Sequence, residues 1–215
     1  MNDLKKKLLN YDIIIFDLDD TIYSQKDYDN PALLHVSKYL AKIIKKDKNI
    51  IFKKLRALKK IRRGLAPKPV FDIFLKDYKN INKQKIISSC ISLFQNYECK
   101  ELKRSKSLRI LLKSIYKQKT LFIVTNGHKK RQANKIKYLK INEYFKKIFI
   151  LDGVKKEIKP SITNVKYLIR YLKENKNLKS VFVGDNKDSD YKFAKNMKIE
   201  FIFYQFPIVK IKNYV

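Results

Sequence analysis

The fold turns on Ile13-Ile14-Ile15-Phe16-Asp17-Leu18-Asp19-Asp20-Thr21, where an unbroken apolar run passes directly into carboxylates and a hydroxyl. An apolar run without alternation is the pattern of a strand covered on both faces, as strands of parallel sheets are. Comparable runs follow at Leu121 to Val124, Ile148 to Leu151, Val181 to Val183 and Glu200 to Tyr204. Between them the apolar spacing becomes helical, with Ala133, Ile136, Leu139 forming one stripe and Ile162, Val165, Ile169, Leu172 another. Strands alternating with helices predict an α/β fold built on a parallel five-stranded sheet flanked by helices.

The first interval breaks this rhythm. About a hundred residues separate the first strand from the second, far more than one crossover helix needs, and no strand-like run interrupts them. Helical spacing continues through Leu33, Val36, Leu40, Ile43, then Ile51, Leu55, Leu58, then Ile86, Ile87, Cys90, Phe94, Tyr97, with breaks expected at Pro67 and Pro69. Residues 23–100 are therefore read as an inserted α-helical subdomain, and residues 1–22 with 101–215 as the core. Leu108, Leu111, Leu112 and Ile115 supply the helix that leads back to the sheet.

Composition bounds the partners. The chain has 215 residues, 45% of them hydrophobic, and only four Gly and five Pro, which excludes disordered and collagen-like classes. Lys and Arg number 51 against 20 Asp and Glu, for a net charge of +31. That excess is spread along the chain and comes with abundant Ile, Asn, Tyr and Phe, as an AT-rich coding composition produces. It is read as background that draws anionic substrates, and nucleic acid is a possible but disfavoured partner. Cys90 and Cys99 lack metal-ligand spacing and are expected to be thiols in a reducing compartment. No stretch approaches the ~18 apolar residues of a membrane span. The basic opening residues precede too short an apolar run for a signal peptide, so a cytoplasmic protein with no membrane partner is expected.

Ligands of open parallel sheets bind beyond the carboxyl ends of the strands, which makes the residues after each strand informative. Asp17, Asp19, Asp20 and Thr21 follow the first strand, Thr125-Asn126-Gly127 ends the second, and Gly184-Asp185 through Asp190 ends the fourth. Lys159-Pro160 precedes the helix that leads to that fourth strand. Carboxylates converging on one rim repel one another unless a cation neutralises them. An all-oxygen set favours a hard divalent ion, so a Mg²⁺ site is expected.

These residues resemble the haloacid dehalogenase superfamily in its phosphatase branch, with Asp17-Leu18-Asp19-Asp20-Thr21 as first motif, Thr125 as second, Lys159 as third and Gly184-Asp185 to Asp190 as fourth. The resemblance implies a Rossmann-like core over roughly residues 12 to 205, with the insertion as a helical cap between the first two motifs. It implies Asp17 as nucleophile through an aspartyl-phosphate, and Asp19 as acid and base, kept protonated by burial beside another carboxylate. Metal ligands would be Asp17, the Asp19 main-chain carbonyl and Asp185, with Asp190 orienting them. Thr125, Asn126, Gly127 and Lys159 would hold the phosphoryl oxygens.

Among neighbours, Asp20 is read as a turn residue, Asp188 as an alternative to Asp190, His128 as a solvated or substrate-touching group and His35 as packing. Arg62, Arg63 and Lys68, around Gly64 and Pro67, form either a solvated charge run or a clamp for a second anionic group. The activity expected is Mg²⁺-dependent hydrolysis of a small phosphorylated metabolite. A phosphotransferase or mutase on the same intermediate, or a basic nucleic-acid-binding protein with a vestigial site, are the alternatives. A carboxylate at position 19 favours phosphate esters over halides, because a departing halide needs no acid. Substrate identity and oligomeric state are left open.

Overall fold

Ile13–Phe16 forms β1 in the computed structural model, which describes residues 2–61, 67–153 and 156–206. All four side chains are buried, because β1 has a parallel neighbour on each side. β2 (Thr120–Asn126) and β4 (Ser180–Gly184) are those neighbours, with Ile14 standing opposite both Leu121 and Val181. β3 (Lys147–Leu151) and β5 (Glu200–Phe203) extend the sheet to the order β3-β2-β1-β4-β5, every pairing parallel.

The pleat sends alternate residues to opposite faces. Ile13 and Ile15 join Phe122, Val124 and Phe182 in a core closed by Val165, Leu168, Phe193 and Ala194. Leu168 belongs to α8 (Lys166–Glu174), and Phe193 and Ala194 to α9 (Lys192–Met197). Ile14 and Phe16 take the other face, where Phe16 meets Phe145 edge-on. The helix leading into β2, α6 (Lys106–Ile115), buries the four apolar residues its spacing predicts. An unforeseen α1 (Asn2–Leu8) opens the chain and buries Leu4 and Leu8 one turn apart.

On the face of α7 (Lys129–Leu139) the sequence expectation fails in an informative way. Ala133 is exposed, and the buried face is Gln132, Lys135, Ile136 and Leu139. Two polar side chains thus occupy a face read as apolar, which requires partners for them inside the core.

Lys26–Lys100 makes a second compact unit, separate from residues 1–25 and 101 onward. Its helices are α2 (Lys26–Ile44), α3 (Lys48–Ile61), α4 (Pro67–Leu75) and α5 (Lys83–Gln95). Pro67 and Pro69 do not break a helix as expected. They sit in the first turn of α4, where the fixed φ of proline fits and its missing N–H has no helical acceptor to lose. Asn82 caps α5, its side chain accepting from the Lys85 N–H at 3.1 Å. The Tyr28 hydroxyl, at the centre of this unit, donates to the carbonyls of Phe94 and Tyr97 at 3.2 and 3.0 Å. His35 packs on the Tyr97 ring at 5.4 Å between centroids. Cys90 and Cys99 are buried and neither forms a disulfide; burial pushes the Cys90 thiol up to about 12, so it is inert. Arg62, Arg63 and Gly64, with the side chain of Lys68, lie outside the described residues. Among the described residues, no helix is long and apolar enough to cross a membrane.

Candidate active site

The chain leaves β1 toward β2 and β3 on one side and returns to β4 on the other, so strand order reverses between β1 and β4. Such a reversal opens a crevice beyond the carboxyl ends of the two strands. Asp17 enters it directly, its N–H extending the ladder to the Val183 carbonyl at 2.9 Å. From the neighbouring strand end come Asp185 and Asp190. Carboxylate oxygens of Asp17, Asp185 and Asp190 all lie within 4.8 Å of one another.

Lys159 is driven into this cluster although it is only 4% exposed. Its Nζ donates to Asp17 Oδ1 at 2.5 Å and to Asp190 Oδ1 at 2.7 Å. The backbone around it is held from β2: Lys159 N–H donates to Asn126 Oδ1 at 2.8 Å, and Asn126 Nδ2 donates back to the Lys159 carbonyl at 3.2 Å. Burial opposes the charge on Lys159, but Asp17 and Asp190 outweigh it and hold the ammonium up to about 12. Asp17 is pushed upward by burial and by the charges of Asp190 and Asp19, with Lys159 pulling against them.

Asp190 has no freedom of its own. Its Oδ2 accepts from the Asn186 N–H at 3.1 Å and its Oδ1 from Ser189 Oγ at 3.2 Å. Asn186 Oδ1 in turn accepts from the N–H groups of Asp188 and Ser189, closing the wide helical turn Lys187–Tyr191 that carries Asp190 inward. Gly184 is needed beneath it, because a Cβ there would collide with the Asp190 side chain. Asp188 points the other way, pairing with Lys192 on the exposed surface, so Asp190 and not Asp188 is the inward carboxylate.

Charge counting shows what the crevice is suited to hold. Three carboxylates face one ammonium, which leaves two negative charges uncompensated when all are ionised. Burial, then the charges of Asp190 and Asp20, push Asp185 up to about 7. An all-oxygen donor set short of two positive charges fits a hard divalent cation such as Mg²⁺. In the metal-free chain Asp185 keeps, between about pH 4 and pH 7, a proton that the unfolded chain has already lost, so its contribution to stability falls as pH rises through that window. A divalent cation bound by these carboxylates would replace that proton. Thermal melting with and without Mg²⁺ is therefore expected to show little cation effect near about pH 5, a growing one as pH rises through about 7, and a level one once the carboxyl group is ionised. A cation effect that is flat across this range would contradict the assignment.

Asp19 departs from expectation. Its carboxylate is not in the three-carboxylate cluster and not kept protonated by a neighbouring acid. Lys135 Nζ, fully buried, donates to both its oxygens at 2.7 and 2.9 Å, Tyr23 OH donates to Oδ1 at 2.5 Å, and Gln132 Nε2 donates to Oδ2 at 2.9 Å. Burial alone would raise its pKa, but Lys135 first, then Tyr23 and Gln132, bring it down to about 2. Asp19 is thus an ionised carboxylate in this arrangement.

Thr125 is buried at the end of β2, and its Oγ accepts from Gln132 Nε2 at 2.7 Å. Gly127, at φ +143°, takes a conformation that side-chain-bearing residues avoid, and a Cβ there would crowd Arg131 and Gln132. His128 stands at the start of α7, half-buried. Asp20 has φ +54°, and its carboxylate accepts from the Gln25 N–H at 2.9 Å, the turn role expected. Gln132 and Lys135 are the residues sequence reasoning passed over. The available signal was two polar residues in register with Ile136 and Leu139 on a helix that starts just beyond Thr125.

Residues 14–204 match the family profile described as haloacid dehalogenase-like hydrolase. Solved structures with a similar fold include the HAD-hydrolase YfnB from Bacillus subtilis bound to magnesium, at 19% identity and TM-score 0.63, covering 90% of this chain and 88% of that one. A phosphatase from Clostridium difficile is similar at 24% identity and TM-score 0.60, over 90% and 85% of the two chains. So is the 2-haloacid dehalogenase from Pseudomonas syringae pv. Tomato DC3000, at 20% identity and TM-score 0.56, over 90% and 86%. A search of curated proteins finds no match.

Proposed function

We propose that this chain, which belongs to the haloacid dehalogenase-like hydrolases, is a Mg²⁺-dependent phosphatase of small phosphorylated metabolites that works through an aspartyl-phosphate. The observation that carries the reading is the Lys159 ammonium shared by Asp17 and Asp190 beside Asp185, a site short of positive charge next to a buried carboxylate able to attack. Magnesium held by Asp17, Asp185 and Asp190 would screen the phosphoryl charge and let two anions meet.

The protein's own groups then divide the work. An Asp17 oxygen attacks phosphorus in line, the ester P–O bond breaks, and the departing alkoxide takes from Asp19 a proton that this carboxylate, ionised in the free chain, has drawn from the monoanionic ester. Water next attacks the same phosphorus, the bond to Asp17 breaks, Asp19 takes the water proton, and that proton leaves with inorganic phosphate, so Asp19 ends the turnover ionised as it began. Ionised Asp19 beside Lys135 is in the form required for that second step. Lys159 and the Thr125 hydroxyl offset charge on the phosphoryl oxygens, where preorganised donors act without reorganisation. The helical unit of residues 26–100 would serve as the cap that selects the substrate.

A carboxylate at position 19 supports phosphate esters over haloacids, since halide departure needs no proton. A panel of sugar phosphates, nucleotides and other phosphorylated metabolites, with and without Mg²⁺, is expected to release phosphate only with the cation. Halide release from 2-haloacids without phosphate release from any ester would replace this reading with a dehalogenase. Isomer formation without phosphate release would replace it with a mutase.

A further inference from the structure

We infer that Lys135 and Gln132, one turn apart on the buried face of α7, are positioning residues of the reaction: Lys135 seats the Asp19 carboxylate, and Gln132 ties that carboxylate to the Thr125 hydroxyl. The inference rests on the phosphatase reading above.

Asp19 leaves the end of β1 and Thr125 the end of β2, and among the described residues no backbone N–H donates to either side chain. Gln132 Nε2 lies 2.9 Å from Asp19 Oδ2, 2.7 Å from Thr125 Oγ and 3.2 Å from the Asn126 carbonyl, so one amide group links the ends of two strands. Since the Thr125 oxygen accepts from Gln132, its own hydrogen is left for another acceptor, which a phosphoryl oxygen would be. Lys135 reaches both oxygens of Asp19 and so fixes the plane of the carboxylate as well as its place. The Gln132 Oε1 finds no partner among the described residues, which fits an amide turned to present its donors to Asp19 and Thr125. A buried lysine and a buried glutamine on a helix that also packs Ile136 and Leu139 are costly places for polar groups. Ion pairing with a carboxylate at the mouth of the crevice, not core packing, accounts for them.

The test is a double-mutant cycle with a generic aryl phosphate and Mg²⁺. Lys135→Met is expected to lower kcat by about 10²-fold while changing KM by less than about threefold. In an Asp19→Asn background the same substitution is expected to change kcat by less than about threefold, because its effect passes through the carboxylate already removed. Melting temperatures give a readout independent of turnover. Lys135→Met strands a buried carboxylate and lowers Tm, and adding Asp19→Asn should restore more than half of that loss. Gln132→Met is expected to raise KM as well as lower kcat, since it frees Thr125 too. Additive effects of Lys135→Met and Asp19→Asn on both kcat and Tm, in a wild type that does hydrolyse phosphate esters, overturn the inference alone. A wild type that turns over no phosphate ester removes the reading beneath it, and the positioning roles fall with that reading.

Discussion

Asp17→Asn is expected to lower Mg²⁺-dependent phosphate release by about 10⁴-fold or more, to the level of the other background activities of the preparation. Asparagine has the shape of aspartate but not the anionic oxygen, so the variant keeps the crevice and loses the proposed attacking group. Lys159 retains Asp190 as a partner at 2.7 Å, which limits structural damage. Removing a buried carboxyl group that burial already pushes upward should also leave Tm unchanged or higher in the absence of cation. Phosphate release from a generic aryl phosphate, followed beside a melting curve, separates the two effects. Equal Mg²⁺-dependent rates in wild type and variant would contradict a nucleophilic Asp17.

Lys159→Met should be the most damaging single substitution to stability and activity together. The ammonium is the only cation the described residues place between Asp17 and Asp190, and its loss leaves two buried carboxylates facing each other. Breaking a buried pair by removing one partner costs about 3–5 kcal/mol. Activity is expected to fall by about 10²–10³-fold, the usual consequence of removing a preorganised charge from a phosphoryl site. The sign of the cation effect makes this prediction specific. With Lys159 gone the crevice carries a further uncompensated negative charge, so Mg²⁺ should raise Tm more in the variant than in wild type. A smaller Mg²⁺ effect in the variant would mean that Lys159 and the cation do not share these carboxylates. Arginine is not expected to substitute, because its planar fork does not fit a position where one point charge meets two oxygens in a buried pocket.

Much of the sheet-bearing unit could be read before any coordinates. Ile13 to Phe16 read as a strand, and the runs at Leu121, Ile148, Val181 and Glu200 repeat its chemistry. The carboxylates and the lysine of the crevice were legible because each follows or approaches a strand end. The helical insertion was legible from spacing, except at Pro67 and Pro69. There, proline's two meanings, helix breaker and helix opener, differ only in position within the helix, which apolar spacing fixes poorly.

Asp19 shows where such reading stops. The family resemblance implies an acid and base at this position, but its protonation depends on what faces it, and that is Lys135, 116 residues further along the chain. Along α7 alone, Gln132 and Lys135 look like the solvated side of a helix whose stripe is Ala133, Ile136 and Leu139. The structure rotates that helix so that Ala133 faces solvent and the two polar residues face inward.

Local chemistry, then, determined the order of strands and helices and the set of groups at the strand ends, because hydrophobic period and chain direction are properties of neighbouring residues. The charge state of Asp19, the choice of Asp190 over Asp188 and the inward face of α7 were decided only in three dimensions. Each depends on burial and on an electrostatic partner distant in sequence or set by the local turn, and neither can be read until the chain has closed around the site.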